Sequence, residues 1–155
     1  MWSYDAAGAG TLARTGTLAG ARAIAVSPDG ELAMVAGAGL SRSSDAGATW
    51  TPLAVEPGVV FEDVRLAEDG SAVAVGADGV VASIDPAGGV SLQHVGAASL
   101  HTLHLPDPDS IDTTGYAAGD GGQVWITHDA GATWTAGPAL GRAVYGVDEI
   151  SAGHR

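Results

Sequence analysis

Cysteine and lysine are both absent from the 155 residues. Without Cys the chain has no disulfide and no thiol chemistry, and the absence does not sort one compartment from another. Without Lys the six basic residues are all Arg, set against 18 acidic ones, for a net charge of −12. A surface that neutralises nucleic-acid phosphates needs clustered Lys and Arg, so nucleic acid is not an expected partner. An anionic membrane surface is not an expected partner on the same ground. No apolar run approaches the ~20 residues of a membrane-spanning helix, so no membrane insertion is expected. The first residues, Met1-Trp2-Ser3-Tyr4-Asp5, show neither the basic region nor the apolar run of a signal peptide. Helical periodicity is missing too. The acidity reads as a solubility device.

What the chain has in plenty is glycine, 24 residues, with 7 prolines and an apolar share of 46%. The glycines follow no collagen-like period and punctuate many short β-branched runs. The punctuation repeats. Ser43-Ser44-Asp45-Ala46-Gly47-Ala48-Thr49-Trp50 matches Thr127-His128-Asp129-Ala130-Gly131-Ala132-Thr133-Trp134. Worn copies stand at Ser83-Ile84-Asp85, followed by Gly88 and Gly89, and at Ser3-Tyr4-Asp5, followed by Gly8 and Gly10. The four Asp residues, 5, 45, 85 and 129, are therefore spaced by 40, 40 and 44. Apolar alternations recur in phase: Ile24 and Val26 before Asp29-Gly30, Val64 and Leu66 before Asp69-Gly70, Leu103 and Leu105 before Pro106-Asp107, Tyr145 and Val147 before Asp148.

Each unit thus reads as four short strands joined by tight turns. In the second unit these are Phe61–Leu66, Ala72–Val75, Val80–Ser83 and Val90–His94. Four strands in every ~40 residues is the blade of a β-propeller. The expected fold is all-β: a propeller fragment of about three complete four-stranded antiparallel blades, half a blade at the N-terminus and one strand at the C-terminus. The blade parts fall at approximately 1–20, 21–58, 59–97, 98–140 and 141–155 of one partial propeller. A propeller buries its blade faces by closing on itself. The expected neighbours of this piece are the remaining blades of the same propeller or a second copy of the chain.

The repeated turn has its own chemistry. An Asp carboxylate accepts bonds from backbone N–H groups just after it, and a hydroxyl two residues earlier adds another. The Gly two residues after the Asp suits positive φ. The Trp offers a large face to bury between blades. Ser43, Asp45, Gly47, Thr49 and Trp50, and Thr127, Asp129, Gly131, Thr133 and Trp134, form the full copies; Ser3, Asp5, Ser83 and Asp85 belong to the degenerate ones. The pattern resembles the Asp-box, or BNR repeat, S-x-D-x-G-x-T-W. With its flanks, Gly115-Tyr116-Ala117-Ala118-Gly119 and Gly122-Gln123-Val124-Trp125-Ile126-Thr127, the third unit resembles repeats of the photosystem II assembly/stability factor family. That family sits among sialidase-like propellers. The resemblance implies a non-enzymatic scaffold or binding module for a protein or peptide partner, and an extracytoplasmic location.

The alternative is a piece of a secreted sialidase-like or other glycoside hydrolase whose catalytic residues lie mostly elsewhere. Arg22, Arg65 and Arg142 lie on or beside inner strands, but the arginine motif of sialidases is absent. Glu62, Asp63 and Glu68 are acidic candidates that nothing selects, because an acid pair is defined by its separation in space. Asp45 and Asp129 read as turn acceptors. His101 and His104, an odd step apart on a strand, make a poor metal pair, and no cofactor or metal is expected. Gly119-Asp120-Gly121-Gly122 reads as a hairpin turn. Asp107-Pro108-Asp109-Ser110-Ile111-Asp112 lacks the central Gly and closing Glu of a calcium loop. As the one insertion among the repeats, this acidic loop, with Asp107, Asp109 and Asp112, is the candidate contact site.

Overall fold

The computed structural model describes residues 2–3, 13–14, 20–106 and 114–147. Among the described residues, short runs bounded by Gly and Asp give fourteen strands. They are β1 (Trp2–Ser3), β2 (Ala13–Arg14), β3 (Ala23–Val26), β4 (Ala33–Gly37), β5 (Gly39–Ser43), β6 (Thr51–Pro52) and β7 (Phe61–Leu66). There follow β8 (Ala72–Gly76), β9 (Val80–Ile84), β10 (Val90–His94), β11 (Leu100–His104), β12 (Gly115–Gly119), β13 (Val124–Thr127) and β14 (Thr135–Ala136). They form three four-stranded sheets, each a meander in chain order: β3–β6, β7–β10 and β11–β14. All pairings are antiparallel. β1 and β2 pair with one another, Trp2 opposite Arg14.

The sheets stack face to face as blades, and alternation decides which residue faces which neighbour. Met34, Ala36 and Leu40 of the first blade meet Phe61, Val64, Ala74, Val80 and Ala82 of the second. The opposite face of the second blade, Val73, Val75 and Val81, meets Leu100, Leu103 and Ala117 of the third. The second strands β4 and β8 are buried along their whole length because both faces are covered.

The innermost strands β3, β7 and β11 start close against the second strand of their own blade. A Cβ on Gly76 would lie 2.0 Å from the Val60 carbonyl oxygen, and one on Gly119 would lie 1.9 Å from that of Ser99. Only glycine fits there. β7 and β11 each carry a bulge just inside this point, between Phe61 and Asp63 and between Leu100 and Thr102. In the second and third blades the turn from second to third strand holds one tight 3₁₀ turn, at Ala77–Gly79 and Asp120–Gly122.

Two expectations change at the edges. Ile24 and Val26 repeat the inner-strand pattern of Val64 and Leu66, yet they are 54% and 53% exposed, whereas Val64 is fully buried. The inner strand facing Val64 is β3; no described strand faces Ile24 and Val26. Of the single strand expected from about Arg142 to Ile150, the described residues 142–147 form no ladder. The segment instead lies beside β11 and β12, where the Val144 N–H donates to the Gly119 carbonyl and the Val147 N–H to Thr102 Oγ1. A first strand needs a second strand to make a ladder, and none is described beside it. Asp148–Ile150, Asp5 and the loop 107–113 lie outside the described residues.

Candidate functional site

In an antiparallel meander the turn after the first strand and the turn after the third share one end of the blade. The second-to-third turn and the connection to the next blade share the other. The molecule therefore has two working ends, and the sequence loads them differently.

Asp29, Asp45, Asp69, Asp85 and Asp129 gather at the first end, and each is engaged in its own turn. Asp45 Oδ1 accepts from the Thr49 N–H at 2.8 Å and from Ser43 Oγ at 2.8 Å, while Oδ2 accepts from Thr49 Oγ1 at 2.5 Å. Asp129 repeats this with the Thr133 N–H at 2.7 Å, Thr127 Oγ1 at 2.8 Å and Thr133 Oγ1 at 2.5 Å. The buried Ser43 and Thr127 hydroxyls also accept from the Gly47 and Gly131 N–H groups. Gly47 and Gly131 take φ of 83° and 93°, as their place in the motif demands. Ala46 and Ala130, one residue earlier, also sit at positive φ, 55° each, which no residue type at those positions signals. In the degenerate turn Asp85 Oδ1 keeps the bond from the Gly89 N–H at 2.9 Å, but Gly89 stands where the other copies have a Thr hydroxyl.

Donors aimed at a carboxylate favour its charged form. The Thr133 hydroxyl, then its N–H, then the Thr127 hydroxyl bring the Asp129 carboxyl down to about 2. Asp45 is lowered chiefly by the Thr49 hydroxyl, Asp69 by the Ser71 hydroxyl and Asp29 by that of Ser27. A general acid or proton-accepting base needs its pKa brought up toward neutrality; these carboxylates go the other way.

Trp50 and Trp134, expected to start the next strand, each stand one residue before it. The indole N–H of each donates to the carbonyl of its own turn glycine, Gly47 at 3.1 Å and Gly131 at 3.0 Å. Both remain half-buried, and Trp134 also packs on the core between the second and third blades.

The other end carries a file of side chains at one structural position. The glycine contacts align Arg22, Glu62 and His101, the second residue of each inner run, and the Val147–Thr102 bond extends the file to Tyr145. Two pairs within the file touch. Arg22 pairs with Glu62 at 2.5 Å. The His101 ring stacks on Tyr145 with centroids 4.8 Å apart, and its Nε2 meets Asp120 Oδ1 at 2.9 Å. Tyr145 is 73% exposed. A charged pair, an imidazole–carboxylate pair and an open aromatic ring thus lie in sequence across the start of successive inner strands. Beside Arg22's blade a groove of about 390 Å³ opens between Val35, Leu40, Pro52 and the loop through Glu56 to Val60.

The remaining candidates are dispersed. Asp63 is a clamp: Oδ1 accepts from the Val64 N–H and from Arg65, and Oδ2 accepts from the Leu103 N–H of the next blade at 2.9 Å. Its neighbour Glu62 is taken by Arg22, so the two carboxylates face different partners. The histidines go separate ways, His94 to the Asp78 carbonyl, His101 to Asp120 and His128 to Thr114. Among the described residues no group of three His, Asp or Glu is placed to hold a metal. Arg42 bonds the Pro86 carbonyl of the neighbouring blade, a cross-blade contact that no sequence signal marked. Arg142 is exposed.

No family model matches the chain, and no curated protein matches it in sequence. Solved structures do. "YCF48 bound to D1 peptide" superposes with a TM-score of 0.58 at 18% identity, over 75% of this chain and 39% of that one. YCF48 from Cyanidioschyzon merolae superposes with a TM-score of 0.59 at 18% identity, over the same shares. The Dos1 propeller gives 0.59 at 16% identity, over 75% of this chain and 34% of that one. The chain thus spans about two-fifths or less of these three structures. Three stacked four-stranded meanders and these superpositions make the chain a segment of a β-propeller.

Proposed function

We propose that this chain belongs to a non-catalytic propeller module that binds a protein or peptide segment, in the manner of a factor that assembles or stabilises a larger complex. The observation that carries the reading is the likeness to a propeller solved with a peptide bound. The carboxylates support it: Asp45 and Asp129, which the sequence marks as turn acceptors, are engaged by turn bonds that favour the ionised form, so we assign them a structural role. The contact surface we assign is the Arg22–Glu62–His101–Tyr145 file. It combines exposed charge and aromatic area, the mixture that recognises peptides.

The test is selection of binders from a phage-displayed random peptide library on the immobilised chain. Enriched peptides that lose at least tenfold in affinity on a Glu62→Ala/Tyr145→Ala variant support the assignment. Enrichment that ignores those substitutions places the surface elsewhere and overturns the assignment of the file. No enrichment, together with turnover of 4-nitrophenyl glycosides, overturns the binding reading itself.

A further inference from the structure

The first blade departs from the repeat at the end that carries the Arg22–Glu62 pair. In the second and third blades the connection leaving the blade closes down on the hairpin between second and third strands. The Val95 N–H donates to the Gly79 carbonyl at 3.0 Å, and the Leu140 N–H to the Gly122 carbonyl at 2.8 Å. The fit is tight: a Cβ on Gly79 would lie 2.4 Å from the Gly96 oxygen, and one on Gly122 would lie 2.6 Å from the Arg142 oxygen. In the first blade the hairpin is shorter and the connection longer. β4 and β5 turn on Ala38 alone, where the other two blades insert a 3₁₀ turn. Residues 53–60 span the step from β6 to β7, against 95–99 for the step from β10 to β11. The Leu53 N–H bonds the Leu40 carbonyl, and among the described residues no further backbone bond joins this connection to its hairpin. A Cβ on Gly39 would meet only the Val55 side chain, at 3.8 Å.

The space so left is the groove of about 390 Å³, more than twice the roughly 150 Å³ that hold a benzene ring in a protein interior. Its walls are aliphatic, with Val35, Leu40, Leu53, Val55 and Val59 among them. One wall is preset. Glu56-Pro57-Gly58-Val59 is a turn closed by the Val59 N–H on the Glu56 carbonyl at 3.4 Å, with Pro second and Gly58 third at φ 90°, as a type II turn requires. A wall fixed beforehand loses little entropy on binding. Glu56 is the one charged residue among the described residues that line the groove. It is exposed and has no ion-pair partner among the described residues. Ala21 and Val60, also in the lining, stand one and two residues before Arg22 and Glu62, so the groove and the file form one continuous surface.

Building on the peptide-binding reading above, we propose that this groove seats an aliphatic side chain of the bound segment, with an adjacent Lys or Arg of that segment facing Glu56. Aliphatic walls reward an aliphatic side chain and leave a polar one without partners. Charge selects the neighbour. Glu56 is unpaired, Arg22 is already neutralised by Glu62, and the chain carries −12 overall, so an acidic segment is repelled.

The test is a titration of the ¹⁵N-labelled chain, followed by amide chemical shifts, with the peptide acetyl-Gly-Ser-Leu-Arg-Ser-Gly-amide up to millimolar concentration. Two further peptides carry Ser for the Leu or Glu for the Arg. The first peptide should shift the amides of Gly39, Val55, Glu56 and Gly58. Replacing its Leu should weaken binding about tenfold, from the lost apolar burial. Replacing its Arg should weaken binding about threefold, as befits an exposed charge pair. Glu56→Arg alters an exposed side chain, so the rest of the spectrum should stay in place while the preference for Arg over Glu in the peptide reverses. Ala38→Trp, at the exposed turn beside the groove, should block all three peptides. Shifts confined to Glu62, His101 and Tyr145 overturn the groove's role and leave the peptide-binding reading standing. Equal binding of the Arg and Glu peptides overturns the charge selection. Silence at the groove amides with every peptide overturns the proposal, while the binding reading is decided separately by the displayed library.

Discussion

The two eight-residue turns show how single residues decide local stability. Thr127 is 1% exposed, and its hydroxyl is both a donor to Asp129 and the acceptor of the Gly131 N–H. Thr127→Val keeps the shape and leaves that N–H unpaired, so it should cost about 1–3 kcal/mol, read from urea unfolding. Ala130 holds φ at +55°, a left-handed conformation that costs a residue with a Cβ about 1 kcal/mol. Ala130→Gly should therefore raise the melting temperature. The Asp129 carboxyl, lowered to about 2 by its hydroxyl and N–H donors, carries a sign for acid stability. A depressed folded-state pKa contributes stability that is fully present above the ordinary value of 3.8 and is lost as pH falls toward about 2. Wild type should lose melting temperature over that window more steeply than Asp129→Asn, which does not titrate there. Equal slopes would deny the bonds their role.

At the scale of strands, the pattern was legible wherever the interaction is local. The four strands read from the second unit coincide with β7 to β10 within a residue or so, because alternation, turn glycines and turn aspartates all act within ten residues. Over its described residues, 142–147, the strand expected from about Arg142 to Ile150 makes no ladder, because a ladder requires a partner and not only a pattern. The bulges in β7 and β11 carry no mark in the alternating pattern. Gly76→Ala would force its Cβ to within 2.0 Å of the Val60 oxygen and part the first two strands of the blade. The expected loss is about 3 kcal/mol by thermal melting.

At the scale of the whole molecule, stability resides between blades. The second blade is the keystone, covered on both faces by the apolar side chains of its neighbours. Asp63 adds a polar link by accepting the Leu103 N–H, and its side chain is 15% exposed. Asp63→Ala should destabilise by about 2 kcal/mol, because it strands a largely buried N–H. Asp63→Asn keeps one oxygen acceptor and should cost less. If the two variants unfold alike in urea, the Leu103 bond is not what matters at that position.

The amino-acid sequence alone determined the strand content, the blade period and the turn chemistry, since each rests on contacts between residues close in the chain. Repetition every ~40 residues turns those local facts into a propeller. Tertiary structure decided the rest. Arg22, Glu62, His101 and Tyr145 lie about forty residues apart and become neighbours only because successive inner strands pack side by side. Asp63 became a clamp and not a catalytic carboxylate because the next blade brings a backbone N–H to it. Ile24 and Val64 share one sequence pattern and differ completely in burial. An alternating pattern specifies that a face is apolar; only the stacking of blades specifies whether anything lies against it.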